Sequence, residues 1–185
     1  AHGLAEHTGR YEHVAARFNE RGVAVVGPDH RGHGASPGVR VYLKSFSEYL
    51  EPMQALRARI DEWYPGRPVF LMGHSMGGLI SAHLLLASQP AFQGAMLSGP
   101  AFHAVDPAPA PLLWVGRVLK KVLPKLGMVS LDANGVSRDP AVVADYLADP
   151  LVYNGKITTG LGIEMLDAME VAIARAGEIT LPIYI

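Results

Sequence analysis

The feature that most restricts the fold is a stretch over residues 68–105 that contains no acidic, lysine or arginine side chain. A hydropathy scan of its first half would suggest a membrane-spanning helix. Two histidines, two serines and a Gly-Gly pair interrupt that half, so we interpret the stretch as a buried strand, a helix and a second strand. Parallel strands covered on both faces have this composition, because neither face meets water.

Further strand and helix patterns alternate along the chain. The β-branched run 23–26 predicts a buried strand, and residues 181–185 predict the start of another. The spacing of apolar side chains predicts a helix over 46–63 with Ser47 as its N-cap, and another over 163–176. Strands that alternate with helices indicate an α/β fold with a mainly parallel sheet flanked by helices.

The segment 101–160 interrupts this alternation. It contains several prolines, an amphipathic stretch over 111–129 and a predicted helix over 141–147, and it is too long for an ordinary connection. We predict that this segment is a helical cap inserted above the sheet. Residues 1–100 would then form the N-terminal part of the core, and residues 161–185 the return to it.

Composition narrows the possible functions. With 185 residues, 49% apolar and 18% charged, the chain has the balance of one folded domain rather than of a disordered segment. The formal net charge of −1 provides no general attraction for nucleic acid. The absence of cysteine excludes disulfides and a thiol nucleophile. No spacing of histidine and acidic residues predicts a metal site, and no pattern predicts a cofactor.

The motif G-H-S-M-G-G at residues 73–78 lies where the predicted strand 69–72 gives way to a helix. A serine hydroxyl becomes an effective nucleophile only when it projects from the backbone and a base reaches it. A sharp strand-to-helix turn provides that projection, and the flanking glycines leave room for the turn. We predict that Ser75 is the nucleophile and that the backbone N–H of Met76 is an oxyanion donor. The alternative is a glycine-rich turn with a capping serine.

The pattern H-G-L at residues 2–4 supplies a second half of the predicted site. In the α/β-hydrolase fold, the other oxyanion donor is a backbone N–H in the loop after an early strand, often within a His-Gly motif. The N–H of Leu4 is therefore the second predicted donor. We also predict that His2, Gly3 and His74 contact the substrate. Taken alone, His2 and Gly3 would indicate an ordinary loop.

Other polar residues have more ordinary interpretations. The loop D-H-R-G-H-G at residues 29–34 suggests metal or phosphate binding, but bracing by its aspartate and arginine, with glycines at positive φ, explains it better. His7, Arg10 and His13 either line the mouth of a pocket or occupy exposed helix positions. His83 lies within an apolar helix and is predicted to be a core histidine with a hydrogen-bond partner.

The remaining members of a catalytic triad are not found in the sequence. In this fold the chain order is serine, acid, histidine. Downstream of Ser75 the only histidines are His83 and His103, and no acidic residue lies between Ser75 and either of them. We therefore expect the acid and the base to lie beyond Ile185 and the chain to be truncated at both ends, so targeting signals cannot be read.

Taken together, these motifs resemble the monoacylglycerol lipases and related lysophospholipase-like enzymes of the α/β-hydrolase fold. The resemblance extends over essentially the whole chain. The pair of motifs H-G-x-x-E-H and G-H-S-M-G-G is more specific to this family than the strand-to-helix turn around Ser75 alone. The matching segments are residues 2–7, 9–11, 29–36, 64–66, 69–78, 137–140 and 149–152.

The resemblance implies a cap over an apolar acyl tunnel and hydrolysis of a monoacylglycerol to fatty acid and glycerol, through an acyl-enzyme on Ser75. It implies a small lipid ester as the substrate and no cofactor. A lysophospholipase or a short-chain esterase would use the same residues. A catalytically inactive protein that binds lipid is an alternative of another class.

The stretch 111–129 indicates where in the cell the protein acts. It has an apolar side and a basic side, the latter carrying Arg117, Lys120, Lys121 and Lys125. Such a helix either lies on a membrane surface or packs its apolar side against the rest of the protein. We accordingly expect a protein that is cytoplasmic or peripheral at a membrane surface.

Overall fold

The computed structural model describes residues 1–104 and 109–185. Residues 105–108, part of the predicted insertion, lie outside the described residues. The helices are α1 Glu12–Asn19, α2 Ser47–Trp63, α3 Met76–Ser88, α4 Ala110–Val122, α5 Pro140–Ala148 and α6 Thr159–Ala174. The strands are β1 Phe70–His74, β2 Gly94–Ser98, β3 Gly127–Ser130, β4 Lys156–Thr158 and β5 Ile183–Tyr184.

A parallel sheet in the order β1-β2-β5 forms the centre of the molecule. Phe70 lies opposite Gly94, His74 opposite Ser98, and Ala95 opposite Ile183. Both strand pairs are parallel, which confirms the predicted α/β arrangement. Each strand pair is separated in sequence by at least one helix, as a parallel connection requires.

Helix α3 is the most deeply buried element and explains why the uncharged stretch has no polar face. Leu79, Ile80 and Leu85 are fully buried. The helix contacts β1 and β2, and also α2 and α6. An element that is surrounded by protein has no side on which a charged residue could be solvated, so its sequence is apolar all round.

The predicted buried strand at 23–26 is wrong. This segment forms no strand, and Val23, Val25 and Val26 are 45–46% exposed. A groove of about 1020 Å³ lies between it and β1. Ala1 occupies the groove side of β1, where its N donates to Met72 O at 2.6 Å and its O accepts from His74 N at 3.1 Å. A β-branched run becomes a strand only with a hydrogen-bonded neighbour, and the described residues provide none for 23–26.

The predicted N-cap of α2 is also wrong. Phe46, not Ser47, occupies the N-cap position, and its side chain makes no capping hydrogen bond. Acidic side chains instead accept from backbone N–H groups just before the helix. Glu48 Oε1 accepts from Lys44 N at 2.8 Å, and Glu164 Oε2 accepts from Phe46 N at 2.6 Å. Local contacts from Glu48 are thus combined with a contact from the distant helix α6, which sequence patterns do not reveal.

The segment 109–158 has its own small architecture. Helix α4 ends at Val122, so the predicted amphipathic helix over 111–129 is correct only in its first part. Pro124 follows, and β3 then pairs antiparallel with β4. The predicted helix at 141–147 is confirmed as α5. Among the described residues, the helices are too short or too polar to cross a membrane.

Candidate active site

Ser75 lies at the junction of β1 and α3, in a strained conformation. Its φ is 51° and its ψ is −118°, in the region that non-glycine residues rarely adopt. The surrounding backbone holds it there. Ser75 N donates to Ser98 O at 3.0 Å, and Ser75 O accepts from Gly78 N at 2.9 Å and from Ala101 N at 3.0 Å. Strain of this kind persists only where neighbours over-determine the geometry.

The flanking glycines are required because other backbone passes very close to them. A Cβ atom on Gly73 would lie 2.3 Å from Gly77 O. A Cβ atom on Gly77 would lie 2.1 Å from Ala1 O, and one on Gly78 would lie 2.6 Å from Pro100 Cβ. The start of α3 therefore packs directly onto the first residues of the chain and onto the segment after β2.

The two predicted halves of the site lie side by side. His74 N donates to Ala1 O, and Gly77 approaches the carbonyl oxygens of both Ala1 and His2. Gly3 borders the His74 ring, because a Cβ atom on Gly3 would lie 3.4 Å from His74 Cδ2. The structure therefore brings residues 1–3 against the turn that carries Ser75.

His2 is turned into the protein. It is 1% exposed, its Nε2 accepts from His30 N at 2.8 Å, and its ring lies 4.3 Å from that of His30. Burial lowers the pKa of His2 to about 4 and also lowers the pKa of His30 and of His33. The three imidazoles are thus neutral at pH 7. This placement does not support a contact between the His2 side chain and the substrate; the ring instead fixes the loop that carries Gly3.

Asp29 braces its loop, as predicted. Its Oδ1 accepts from Thr8 N at 2.8 Å, and its Oδ2 accepts from Ala35 N at 2.8 Å. Burial alone would raise the pKa of Asp29, but these hydrogen bonds outweigh it and the pKa is lowered. Arg31 Nε pairs with Glu48 Oε2 at 2.9 Å and ties the loop to α2. Within the described ranges, no cluster of histidine and acidic side chains is placed to hold a metal.

Sequence reasoning assigned no role to Glu6, which lies next to the predicted oxyanion loop. Its Oε1 accepts from Gly3 N at 2.6 Å and from Tyr11 O–H at 2.5 Å. Burial is the main cause that raises the pKa of Tyr11, and the neighbouring Glu6 carboxylate raises it further. The phenol therefore stays protonated and donates. The signal in the sequence is the spacing H-G-x-x-E, because a glutamate three residues after a glycine can reach back to its N–H.

The segment 5–10 is also attached to the segment 146–153. Tyr153 N donates to Ala5 O at 2.8 Å, and His7 Nε2 lies 2.8 Å from Asp149 Oδ2. The Arg10 guanidinium lies 4.7 Å from the centre of the Tyr146 ring. His7 and Arg10 therefore lie between the two segments, whereas His13 is exposed on α1.

The structure brings no imidazole to Ser75 within residues 1–104 and 109–185. No hydrogen bond there joins Ser75 Oγ to a histidine. His83 is half-buried rather than in the core, but it has the predicted hydrogen-bond partner, since its Nε2 lies 2.9 Å from Ala168 O. His103 is exposed. An acid and a base beyond Ile185 thus stay a prediction.

Comparison with known proteins decides the family. The family model described as "Serine aminopeptidase, S33" matches residues 1–185, the whole chain. The chain belongs to this family. A curated relative, the monoacylglycerol lipase of Mycolicibacterium smegmatis, is 41% identical over 185 residues, which is 100% of this chain and 66% of that protein. The monoglyceride lipase of Homo sapiens is 35% identical over 185 residues, covering 98% of this chain and 60% of that protein.

A solved structure agrees with this assignment. The crystal structure of the Paleococcus ferrophilus monoacylglycerol lipase has a TM-score of 0.87 and 33% identity, and the match covers 99% of this chain and 69% of that one. The α/β-hydrolase fold and the resemblance to monoacylglycerol lipases are therefore confirmed. The chain spans 60–66% of the length of the two curated relatives.

Proposed function

We propose that the protein hydrolyses monoacylglycerols to fatty acid and glycerol through an acyl-enzyme on Ser75. The observation that carries this proposal is the strained serine at the β1–α3 junction, held beside the loop 1–4. A binding protein has no need to hold a serine at φ 51°, because that conformation is costly. The family and the relatives named above support an ester as the substrate.

In the proposed mechanism Ser75 Oγ attacks the ester carbonyl carbon while a histidine beyond Ile185, oriented by an acid, accepts the hydroxyl proton. The backbone N–H groups of Met76 and Leu4 stabilise the tetrahedral oxyanion. The histidine then donates the proton to the departing glycerol oxygen. Water, deprotonated by the same histidine, attacks the acyl-enzyme and releases the fatty acid.

A comparison of substrates tests the proposal. We expect the full-length protein to hydrolyse a long-chain monoacylglycerol with a kcat/KM at least about tenfold above that for a soluble short-chain ester, because an apolar acyl site adds roughly 0.8 kcal/mol per buried CH₂. A lysophospholipid with the same acyl chain tests the head group, and we expect the protein to hydrolyse it more slowly than the monoacylglycerol. An amino-acid anilide is included because the family is named after an aminopeptidase. Preference for the lysophospholipid, the soluble ester or the anilide would contradict the lipase assignment.

We further propose that residues 101–160 form a cap between the core parts 1–100 and 161–185. Two basic side chains of helix α4 pair with α6: Arg117 Nη2 lies 2.9 Å from Asp167 Oδ1, and Lys120 pairs with Glu164. The outer side of α4 is apolar. The side chains exposed there are Trp114 (67%), Val115, Val118 and Val122 (66%).

This orientation favours membrane contact through apolar side chains rather than through charge. Two of the four basic residues already have acidic partners on α6. The apolar side, by contrast, is uncovered, and tryptophan is a residue that prefers the membrane–water interface. We propose that the outer side of α4 rests on the lipid surface from which the substrate comes.

Sedimentation with phosphatidylcholine vesicles tests the membrane contact. We expect binding that changes little with added anionic lipid or salt, and Trp114→Ala should weaken it about tenfold, because burying a large aromatic side chain contributes over 1.4 kcal/mol. Trp63→Ala is the matched control, since Trp63 is 51% exposed at the far end of α2. Absence of binding, or equal loss in both variants, would refute this contact.

A further inference from the structure

The Glu6 carboxylate is a buried negative charge with a full set of donors. Its side chain is 11% exposed. Oε1 accepts from Gly3 N and Tyr11 O–H, and Oε2 lies 3.2 Å from Arg10 Nε. A buried carboxylate is costly unless it is paired and hydrogen-bonded, so this arrangement holds the side chain in one place.

The carboxylate adds a side-chain hydrogen bond across the turn at Leu4 and Ala5. Gly3 N is bonded to the side chain of Glu6, and the two residues between them are Leu4 and Ala5. Ala5 has a φ of 65° and is 3% exposed, so the turn itself contains a strained, buried residue. Tyr153 N holds the Ala5 carbonyl from the other side.

Gly3 makes this close approach possible. A Cβ atom on Gly3 would lie 2.6 Å from Glu6 Oε1, so any side chain there would displace the carboxylate. The same glycine borders the His74 ring, one residue before Ser75. The hydrogen bond to Glu6 is therefore made on the part of the loop that faces the nucleophile turn.

We infer that Glu6 is a positioning residue: it holds the His2–Gly3 peptide through Gly3 N and so sets the direction of the next backbone N–H, that of Leu4, toward the oxyanion formed on the ester carbonyl. Glu6 does not touch the substrate; it acts through the hydrogen bond to Gly3 N. This inference rests on the proposed ester hydrolysis. It follows that loss of the carboxylate lowers stabilisation of the transition state and leaves binding of the ground state nearly unchanged.

The test uses three variants of the full-length protein on one monoacylglycerol. We expect Glu6→Ala and the shorter Glu6→Asp to lower kcat about 10²-fold with KM within twofold, as for loss of one oxyanion donor. Glu6→Gln keeps an oxygen that can accept from Gly3 N and should retain kcat within about fivefold. Glu20→Gln, on an exposed glutamate that pairs with Arg17, is the control for loss of charge.

A second measurement does not depend on turnover. Binding of an alkyl boronic acid, whose serine adduct is a tetrahedral anion, should weaken in Glu6→Ala by about the same factor as kcat/KM. The backbone amide proton resonance of Gly3 should move upfield in Glu6→Ala and stay near its place in Glu6→Gln, because only the latter retains an acceptor.

The outcomes separate the two proposals. A Glu6→Ala protein with unchanged kcat, or with an unmoved Gly3 amide, would overturn the role of Glu6 and leave ester hydrolysis standing. Equal losses in kcat and in melting temperature for Glu6→Gln and Glu6→Ala would also overturn it, because they indicate general destabilisation. A wild type inactive on every ester would overturn the proposed function and this inference together.

Discussion

Ser75→Ala is expected to abolish ester hydrolysis, with kcat/KM falling by about 10⁴-fold or more, because the variant has no oxygen to form the acyl-enzyme. The fold should be unaffected, since alanine replaces serine at the same φ of 51° with one atom fewer. The measurement is hydrolysis of a monoacylglycerol by the full-length protein, accompanied by labelling with a fluorophosphonate probe and identification of the modified residue by mass spectrometry.

Ser88→Ala is the matched control for this experiment. Ser88 is exposed at the last residue of α3, the helix that begins directly after Ser75. Its replacement should leave both hydrolysis and labelling unchanged. Labelling of wild type at another serine, or residual activity of Ser75→Ala within tenfold of wild type, would assign the nucleophile elsewhere. Absence of any labelling of the full-length wild type would favour the lipid-binding alternative.

The central part of the fold could be predicted because its determinants are local. Strand β1, helix α3 and strand β2 all fall inside the uncharged stretch, and the glycines around Ser75 mark the turn between the first two. Burial on every side requires apolar sequence, and a turn with φ 51° at its serine requires small neighbours. Both requirements are visible in the sequence without knowledge of distant contacts.

The errors concern elements that depend on distant partners. Residues 23–26 have the composition of a strand, but a strand needs a neighbouring strand to hydrogen-bond with. In the described part of the chain a groove lies beside residues 23–26 instead. At the start of α2 the N-cap is Phe46, whose N–H donates to Glu164 more than a hundred residues away, so the predicted N-cap Ser47 is wrong. Local propensity could not anticipate either result, because the deciding hydrogen bonds are long-range.

Helix α4 shows a third kind of limit. The alternation of apolar and basic residues predicts two sides but does not say which side faces the core. In the structure, Arg117 forms an ion pair with Asp167 on α6, and Lys120 forms one with Glu164 on the same helix. Gly116 also lies close to Ile163, since a Cβ atom there would be 3.0 Å from Ile163 Cδ1. These contacts between α4 and α6 orient the helix and leave its apolar side outward.

The site itself was only partly predictable. Ser75, Gly3 and His74 are brought together as the motifs suggested, although the oxyanion roles of Leu4 and Met76 stay predictions. A role for Glu6 could not be predicted, because a glutamate in a polar loop is usually solvated. Only the structure shows that its carboxylate accepts from Gly3 N. A side chain that acts through another group carries a weaker sequence signal than the group itself.

Gly77→Ala is expected to destabilise the protein by about 3 kcal/mol or more, although alanine is the better helix former. The intrinsic preference for alanine contributes only about 1 kcal/mol. The clash outweighs this preference, because the new Cβ atom would lie 2.1 Å from Ala1 O and 2.6 Å from His2 O. Both are backbone atoms, which cannot rotate away. Either α3 or the loop that carries Leu4 must move, so kcat should fall as well. The measurement is the free energy of unfolding in urea.

Gly162→Ala provides the opposite outcome in the same type of element. Gly162 lies inside α6, and a Cβ atom built on it meets no other atom within 4 Å. Only the higher helix propensity of alanine then matters, and we expect the free energy of unfolding to rise by about 1 kcal/mol. The two variants should therefore differ by about 4 kcal/mol in unfolding free energy. Equal urea midpoints would contradict the prediction, because they would show that a side chain at position 77 meets no obstacle from residues 1–2.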